Sequence, residues 1–174
     1  IDQAKIKAVD INDCIKNSLV IARNNIKHLE VITELTAIEP VSCNPSQINQ
    51  VLLNLFNNAA QAMGQTQHPT LHIASTEDGA NVYISVADNG TGMSAETQAK
   101  IFEPFFTTKA AGEGTGLGLA ISTQIMEQHN GDIHVQSQLG EGTTFTIRLP
   151  KTAISSPQSP KLLIAEEKIG RAHV

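Results

Sequence analysis

The chain has 174 residues and a mass of 18.6 kDa, a length that suits one domain and can bury one core. Hydrophobic residues make up 40% and charged residues 17%, an ordinary soluble balance, and no apolar run approaches the roughly 18–20 residues that cross a bilayer. The net charge of −5 argues against a duplex-DNA binder, whose basic face neutralises phosphates, so any phosphate held here is held locally.

Two cysteines, Cys14 and Cys43, have no CxxC spacing and no His pair beside them, which argues against zinc and against a disulfide framework. A reducing cytoplasm is the setting this predicts. No basic stretch followed by an apolar one marks a secretory leader.

In chain order, residues 1–9 read as a lead-in. Ile11, Ile15, Leu19, Ile21 and Ile26 sit near helical spacing behind an Asp10 or Asn12 cap, predicting a helix from Asp10 to about His28. A short strand follows from Glu30 to Thr36. Asn44-Pro45-Ser46-Gln47 is a strong helix start, with a cap residue, a proline in the first turn and a glutamine three residues on; this helix is predicted to reach Met63. Alternation at Leu71 and Ile73 and at Val82, Ile84 and Val86, around the turn Glu77-Asp78-Gly79-Ala80, predicts an antiparallel hairpin ending at Asp88. A short helix from Ser94 to about Phe102 precedes a glycine-bearing loop, and another helix runs from about Thr115 to His129 before Asn130-Gly131. Strands at Asp132–Ser137 and Thr143–Leu149 close the domain at Pro150. Helices mixed with mostly antiparallel strands predict an α+β fold, a two-layer sandwich with helices on one face of a mixed sheet. The serine- and proline-bearing stretch after Pro150 has linker composition. Lys161–Glu167 is open to two readings, a plain tail or the opening strand of a receiver domain.

On the helix from Asn44, the side chains Gln47, Gln50, Asn54, Asn58 and Gln61 form one stripe opposite Ile48, Leu52, Leu55, Ala59 and Ala62. A merely solvated face would carry Lys and Glu, which favour helix; asparagine costs several tenths of a kcal/mol, roughly, against alanine. Amide oxygens can coordinate a hard cation such as Mg²⁺ without adding negative charge beside a polyphosphate.

Asp88-Asn-Gly-Thr-Gly-Met93 reads first as a turn, and its two glycines also let a backbone approach a flat ligand while Asp88 accepts from an exocyclic amine. Four glycines between Gly112 and Gly118 feed a helix N-terminus, the setting for phosphate contact and equally for a hinge. They form neither a P-loop nor GxGxxG. Phe102, Phe105 and Phe106 cluster next to this loop, where they can pack in the core or dock a lid, leaving Lys109 to meet a phosphate.

Taken in order, NQVLLNLFNNAAQAM (49–63), DNGTGM (88–93), FEPFFTTK (102–109), GTGLGLA (114–120) and GEGTTFTIRLP (140–150) resemble the N, G1, F, G2 and G3 boxes of the sensor histidine kinase ATP-binding domain. That family is grouped with gyrase B, Hsp90 and MutL, and the resemblance covers about residues 10–150. FFTTK together with NNAAQAM is similar to the nitrogen-regulation-type kinases.

The resemblance implies a Bergerat-type fold with ATP and Mg²⁺ as cofactors. Asn58 is implied to ligate Mg²⁺ and Asn54 to support the metal or phosphate site. Asp88 is implied to recognise the adenine amino group, with Gly90 and Gly92 shaping the pocket and Thr144 nearby. Gly114, Gly116 and Gly118 would line the phosphates as part of the lid. Met93, Phe102, Thr115 and Leu117 stand in the same boxes as implied nucleotide neighbours. Gln61 departs from the family, many of whose members have Lys there, and Lys109 is the substitute. The implied catalytic set is Asn54, Asn58 and Lys109.

ATPase clamps of the group carry Glu at the position of Asn54, where it activates water; an amide cannot take that proton, which favours phosphotransfer to histidine over hydrolysis. The family's acceptor is a helical His followed by Asp or Glu. His28, His68, His72, His129, His134 and His173 all lack that neighbour and read as surface or strand histidines. The expectation is a monomeric, cytoplasmic catalytic module that phosphorylates a separate dimerisation and phosphoacceptor domain, with a response regulator downstream and no nucleic-acid partner. Its parent protein can be membrane-bound through segments outside this chain. The competing readings are a nucleotide-binding sensor or scaffold and a gyrase B/MutL-type clamp.

Overall fold

The first helix begins where Asp10 accepts from the Asn12 N–H (2.9 Å), which caps α1 (Ile11–Ile26) and decides between the two predicted caps. Asn44 does the same for α2 (Pro45–Ala62), accepting from the Gln47 N–H at 3.3 Å, with Pro45 in the first turn. A computed structural model describes residues 5–106 and 116–151 of the chain.

Around these helices lie β1 (Lys7–Val9), β2 (Glu30–Leu35), β3 (Val41–Cys43), β4 (Thr70–Glu77), β5 (Asn81–Asp88), the single turn α3 (Ala95–Gln98), α4 (Gly118–Gln128), β6 (Asp132–Gln138) and β7 (Gly142–Pro150). Five strands form a sheet in the order β2-β4-β5-β7-β6; β2 runs parallel to β4 and every other pairing is antiparallel. The α+β sandwich is therefore present, with one parallel edge.

Two elements were not foreseen. The lead-in supplies β1, which pairs antiparallel with β3 in a separate small ribbon. Each strand has only three residues, too few for a period-two pattern to show. The third helix is also shorter than predicted, because after Gln98 the chain turns to bury Ile101.

Period-two burial aims one face of the sheet at the helices. Leu71 and Ile73 on β4, Val82, Ile84 and Val86 on β5, and Phe145, Ile147 and Leu149 on β7 are all buried. They meet Ile48, Leu52, Leu55 and Phe56 of α2 and Ile125 and Met126 of α4 in one core. Alongside, α1 runs parallel to α2, since Ser18 reaches Asn49 near one end (3.1 Å) and Asn25 reaches Asn57 near the other (3.1 Å). Cys14 and Cys43 are buried free thiols, and burial pushes them up to about 11 and about 12 respectively, so both stay protonated and unreactive.

His129 is a correction. It is wholly buried at the C-terminus of α4, in step with Ser122, Ile125 and Met126 on that helix's inner face. Its Nδ1 donates to the Ile125 carbonyl (2.8 Å) and its Nε2 accepts from the Asn44 N–H (3.0 Å), which defines a neutral ring joining the end of α4 to the cap of α2. Burial pulls its pKa down, opposed by the bond to Ile125.

Candidate functional site

The site forms where the ends of β5, α2 and α4 meet. Asp88 is the last residue of β5 and shares the inward parity of Val82, Ile84 and Val86, so its carboxylate sits half-buried beneath the helices. Its Oδ1 accepts from the Gly90 N–H (2.9 Å) and the Thr143 N–H (3.3 Å), orienting Oδ2 as the oxygen for an incoming donor. Burial raises its pKa, opposed by these two N–H groups.

Thr143, not Thr144, is the residue that β7 brings to Asp88. Thr143 pairs with Asp88 in register, is buried, and shares its hydroxyl with Ser137 (2.7 Å). Thr144 stands opposite Ala87 on the other parity, so its side chain belongs to the helix-free face. The signal was available, because Thr143 is two residues from Phe145 and Thr144 only one.

The turn after Asp88 locks against two neighbours. A Cβ on Gly90 would lie 2.4 Å from the Ala62 carbonyl oxygen, and the next residue, Thr91, donates to that same oxygen at 3.1 Å. Gly92 has φ +69°, and a Cβ there would lie 2.0 Å from the Gln138 carbonyl oxygen, so the position excludes other residues twice over. Met93 is half-buried against the core and donates its N–H to Ser137 Oγ (2.8 Å).

The amides of α2 divide between its neighbours. Asn49 and Asn57 bond to α1, as above. Asn54 turns to α4: its Nδ2 donates to the buried Ser122 Oγ (3.2 Å), and a Cβ on Gly118 would lie 2.1 Å from Asn54 Oδ1. Gly118 is thus what lets the start of α4 settle on this amide. Asn58 is half-buried one turn further along, while Gln61 is exposed and lines a groove with Asn25, His28, Asn57 and Ala60 between the ends of α1 and α2. Ser122, the partner of Asn54, was not singled out from the sequence; its position four residues after Gly118 was the clue.

At the N-terminus of α4 the capping position is Leu117, whereas α1, α2 and α3 are capped by Asp10, Asn44 and Ser94 side chains. Before it, the Gly116 carbonyl accepts from the Phe105 N–H (2.8 Å). Phe105 is 72% exposed with φ 66°, an uncommon conformation for a side-chain-bearing residue. Phe102 packs edge-on against Phe145 (centroids 6.4 Å apart, planes at 83°) and Phe106 also packs on the core. The core reading thus holds for Phe102 and Phe106. Lys109, Gly114 and Thr115 lie outside the described residues. Among the described residues no cluster of three His, Cys, Asp or Glu side chains could hold a metal ion.

Residues 43–153 match the family model described as "Histidine kinase-, DNA gyrase B-, and HSP90-like ATPase". The chain belongs to this family. The chain is 45% identical over 148 residues to sensor histidine kinase ZraS of Escherichia coli (strain K12), covering 83% of this chain and 31% of that protein. Among solved structures, the nucleotide-free catalytic domain of histidine kinase ThkA superposes with TM-score 0.75 at 31% identity, covering 84% of this chain and 96% of that one. Full-length ShkA in complex with AMPPNP gives 0.76 at 26% identity, over 90% of this chain and 33% of that one. The chain thus corresponds to a histidine kinase catalytic domain, and it spans about a third of the length of the ZraS proteins it matches. No helix among its described residues is long and apolar enough to cross a membrane.

Proposed function

We propose that the chain binds Mg·ATP between Asp88 and the start of α4 and donates the γ-phosphoryl group to a histidine on a dimerisation and phosphoacceptor domain, from which a response regulator is charged. The observation that carries this reading is the pairing of a half-buried, N–H-oriented carboxylate with a glycine-led helix N-terminus that rests on an α2 amide. Bound Mg·ATP supplies the transferable phosphoryl group and most of the charge neutralisation.

The chain's own residues orient and shield. Asp88 Oδ2 accepts from the adenine amino group, while Gly90 and Gly92 keep the pocket wall down to backbone. Asn58, supported by Asn54, offers neutral oxygens to Mg²⁺. The dipole and N–H groups of α4 favour phosphate oxygens, with Gly114, Gly116 and Lys109 as further phosphate contacts. Ser122 fixes the Asn54 amide by accepting from Nδ2, which keeps Oδ1 toward α4. Asn54 cannot accept a proton, so water at the γ-phosphate gains no base from it.

In this reading residues 10–150 are the catalytic domain, extended by β1, and residues 151–174 are a linker or the start of a receiver domain. The monomeric state, a cytoplasmic location with a membrane-anchored parent, and the nitrogen-regulation-type subgroup belong to the same proposal. The test is incubation of the chain with radiolabelled ATP and a phosphoacceptor domain of the ZraS type. Acid-labile label on the acceptor histidine is expected; no label, with nucleotide bound, overturns phosphotransfer in favour of a sensor or scaffold. Calorimetry showing no binding at millimolar Mg·ATP overturns the nucleotide site itself.

A further inference from the structure

The sheet has two outer strands, and they are finished differently. On β6, Gln98 donates to the Ser137 carbonyl (3.1 Å), and Asp132 pairs with His134 (3.0 Å) and Arg148 (2.9 Å). On β2, Glu30–Leu35 pairs only with β4 among the described residues, and its sequence EVITEL contains no Pro, Gly or Lys. Its two glutamates are the only charges on this edge, so the open backbone admits a further strand whose side chains match them.

The backbone shows which groups are open. Glu30 and Thr36 donate their N–H groups toward β4, to Pro69 O (2.9 Å) and Ser75 O (3.3 Å). By alternation the N–H and C=O groups of Val31, Thr33 and Leu35 point away from the sheet. Val31 and Ile32 are 37% and 40% exposed.

The side chains choose the occupant. Glu30, Ile32 and Glu34 share the helix-free face, and Glu34, already paired with His72 from β4, keeps a side chain that is 70% exposed. Antiparallel pairing of two copies about Ile32 would set Glu30 against Glu34 at both ends, where like charges directly opposite destabilise a sheet, and pairing about Thr33 would set each Glu34 against the partner copy's Ile32.

We propose that β2 is a docking edge for an extended segment of another protein with the pattern basic-x-apolar-x-basic. Its basic side chains lie across from Glu30 and Glu34, its apolar residue lies across from Ile32, and its main chain bonds to Val31, Thr33 and Leu35. The site is separate from the nucleotide pocket and leaves it open.

The test titrates the 174-residue chain with the synthetic peptide acetyl-TKVIVRT-amide and with its counterpart carrying Glu for Lys and Arg, followed by NMR shifts and hydrogen exchange. Expected are slowed exchange at Val31, Thr33 and Leu35 and a preference of about ten-fold or more for the basic peptide, reversed in the Glu30→Lys/Glu34→Lys variant. Thr33→Pro, which removes an outward N–H while leaving the bonds to β4, should abolish binding without lowering helical content. Equal binding of both peptides, protection confined to other strands, no binding at millimolar peptide, or a free-chain dimer with protected β2 amides would each overturn the proposal.

Discussion

His129 and Asp88 are both buried enough that their charged forms are disfavoured, yet they do opposite jobs. His129 has a protein partner on each ring nitrogen and joins two helices. Asp88 has its two described donors on one oxygen and presents the other at the mouth of the site. The difference teaches that burial alone does not mark a functional group. A buried polar side chain whose valences are completed inside the fold stabilises the fold, and one left incomplete waits for a ligand.

The strongest way to break this comparison is at the histidine. His129→Ala removes a buried ring and leaves the Asn44 N–H unsatisfied, so urea unfolding should show a loss of about 3 kcal/mol. A loss under about 1 kcal/mol would reduce the ring to filler.

Asp88→Asn should separate affinity from stability. Nucleotide affinity measured by calorimetry should fall by roughly 1.5–3 kcal/mol, the scale of a charge-assisted hydrogen bond. The nucleotide-free domain should melt higher at neutral pH. Burial raises the folded pKa of Asp88, so its contribution favours folding at low pH and is lost as pH rises through the folded value; at pH 7 the ionised group opposes folding, and the amide removes that opposition. A lower melting point in Asp88→Asn would contradict the reading of this carboxylate as incomplete.

The histidine has the opposite sign. Unfolded histidine takes up its proton below about pH 6.5, whereas burial keeps folded His129 neutral to lower pH, so unfolding becomes easier as pH falls, by at most about 1.4 kcal/mol per pH unit. In His129→Gln the melting temperature should fall less steeply between pH 6.5 and 5 than in the parent chain; parallel curves would assign the acid sensitivity elsewhere. The smallest effect is expected at Ser122→Ala, which frees the Asn54 amide and should weaken Mg·ATP binding by about 1 kcal/mol with little change in melting temperature.

Much of this was legible from residues alone, and the exceptions share a cause. The start of α2 at Asn44-Pro45, the β4–β5 hairpin and the β6–β7 pair followed from local chemistry. The placement of Asp88 at a strand end followed too. What failed required knowing which side of an element faces what. The α2 stripe is single in projection, but Asn54 turns to Ser122 of α4 while Gln61 lines the groove beside α1. Thr144 and His129 differ from their sequence reading for the same reason: Thr143, in phase with Phe145, faces Asp88, and His129, in step with Met126, is buried. The ribbon of β1 and β3 and the parallel pairing of β2 are long-range choices that no local window contains.

The last strand among the described residues, β7, lies inside the sheet between β5 and β6 and supplies the Thr143 N–H that steadies Asp88. On the ribosome, β4 and β5 can form their hairpin early, but β5 has no second neighbour until residues 142–150 have emerged. Until then the inner edge of β5 is exposed and Asp88 lacks one of its two described donors. A nascent chain stalled before residue 142 therefore holds Asp88 without the strand that steadies it.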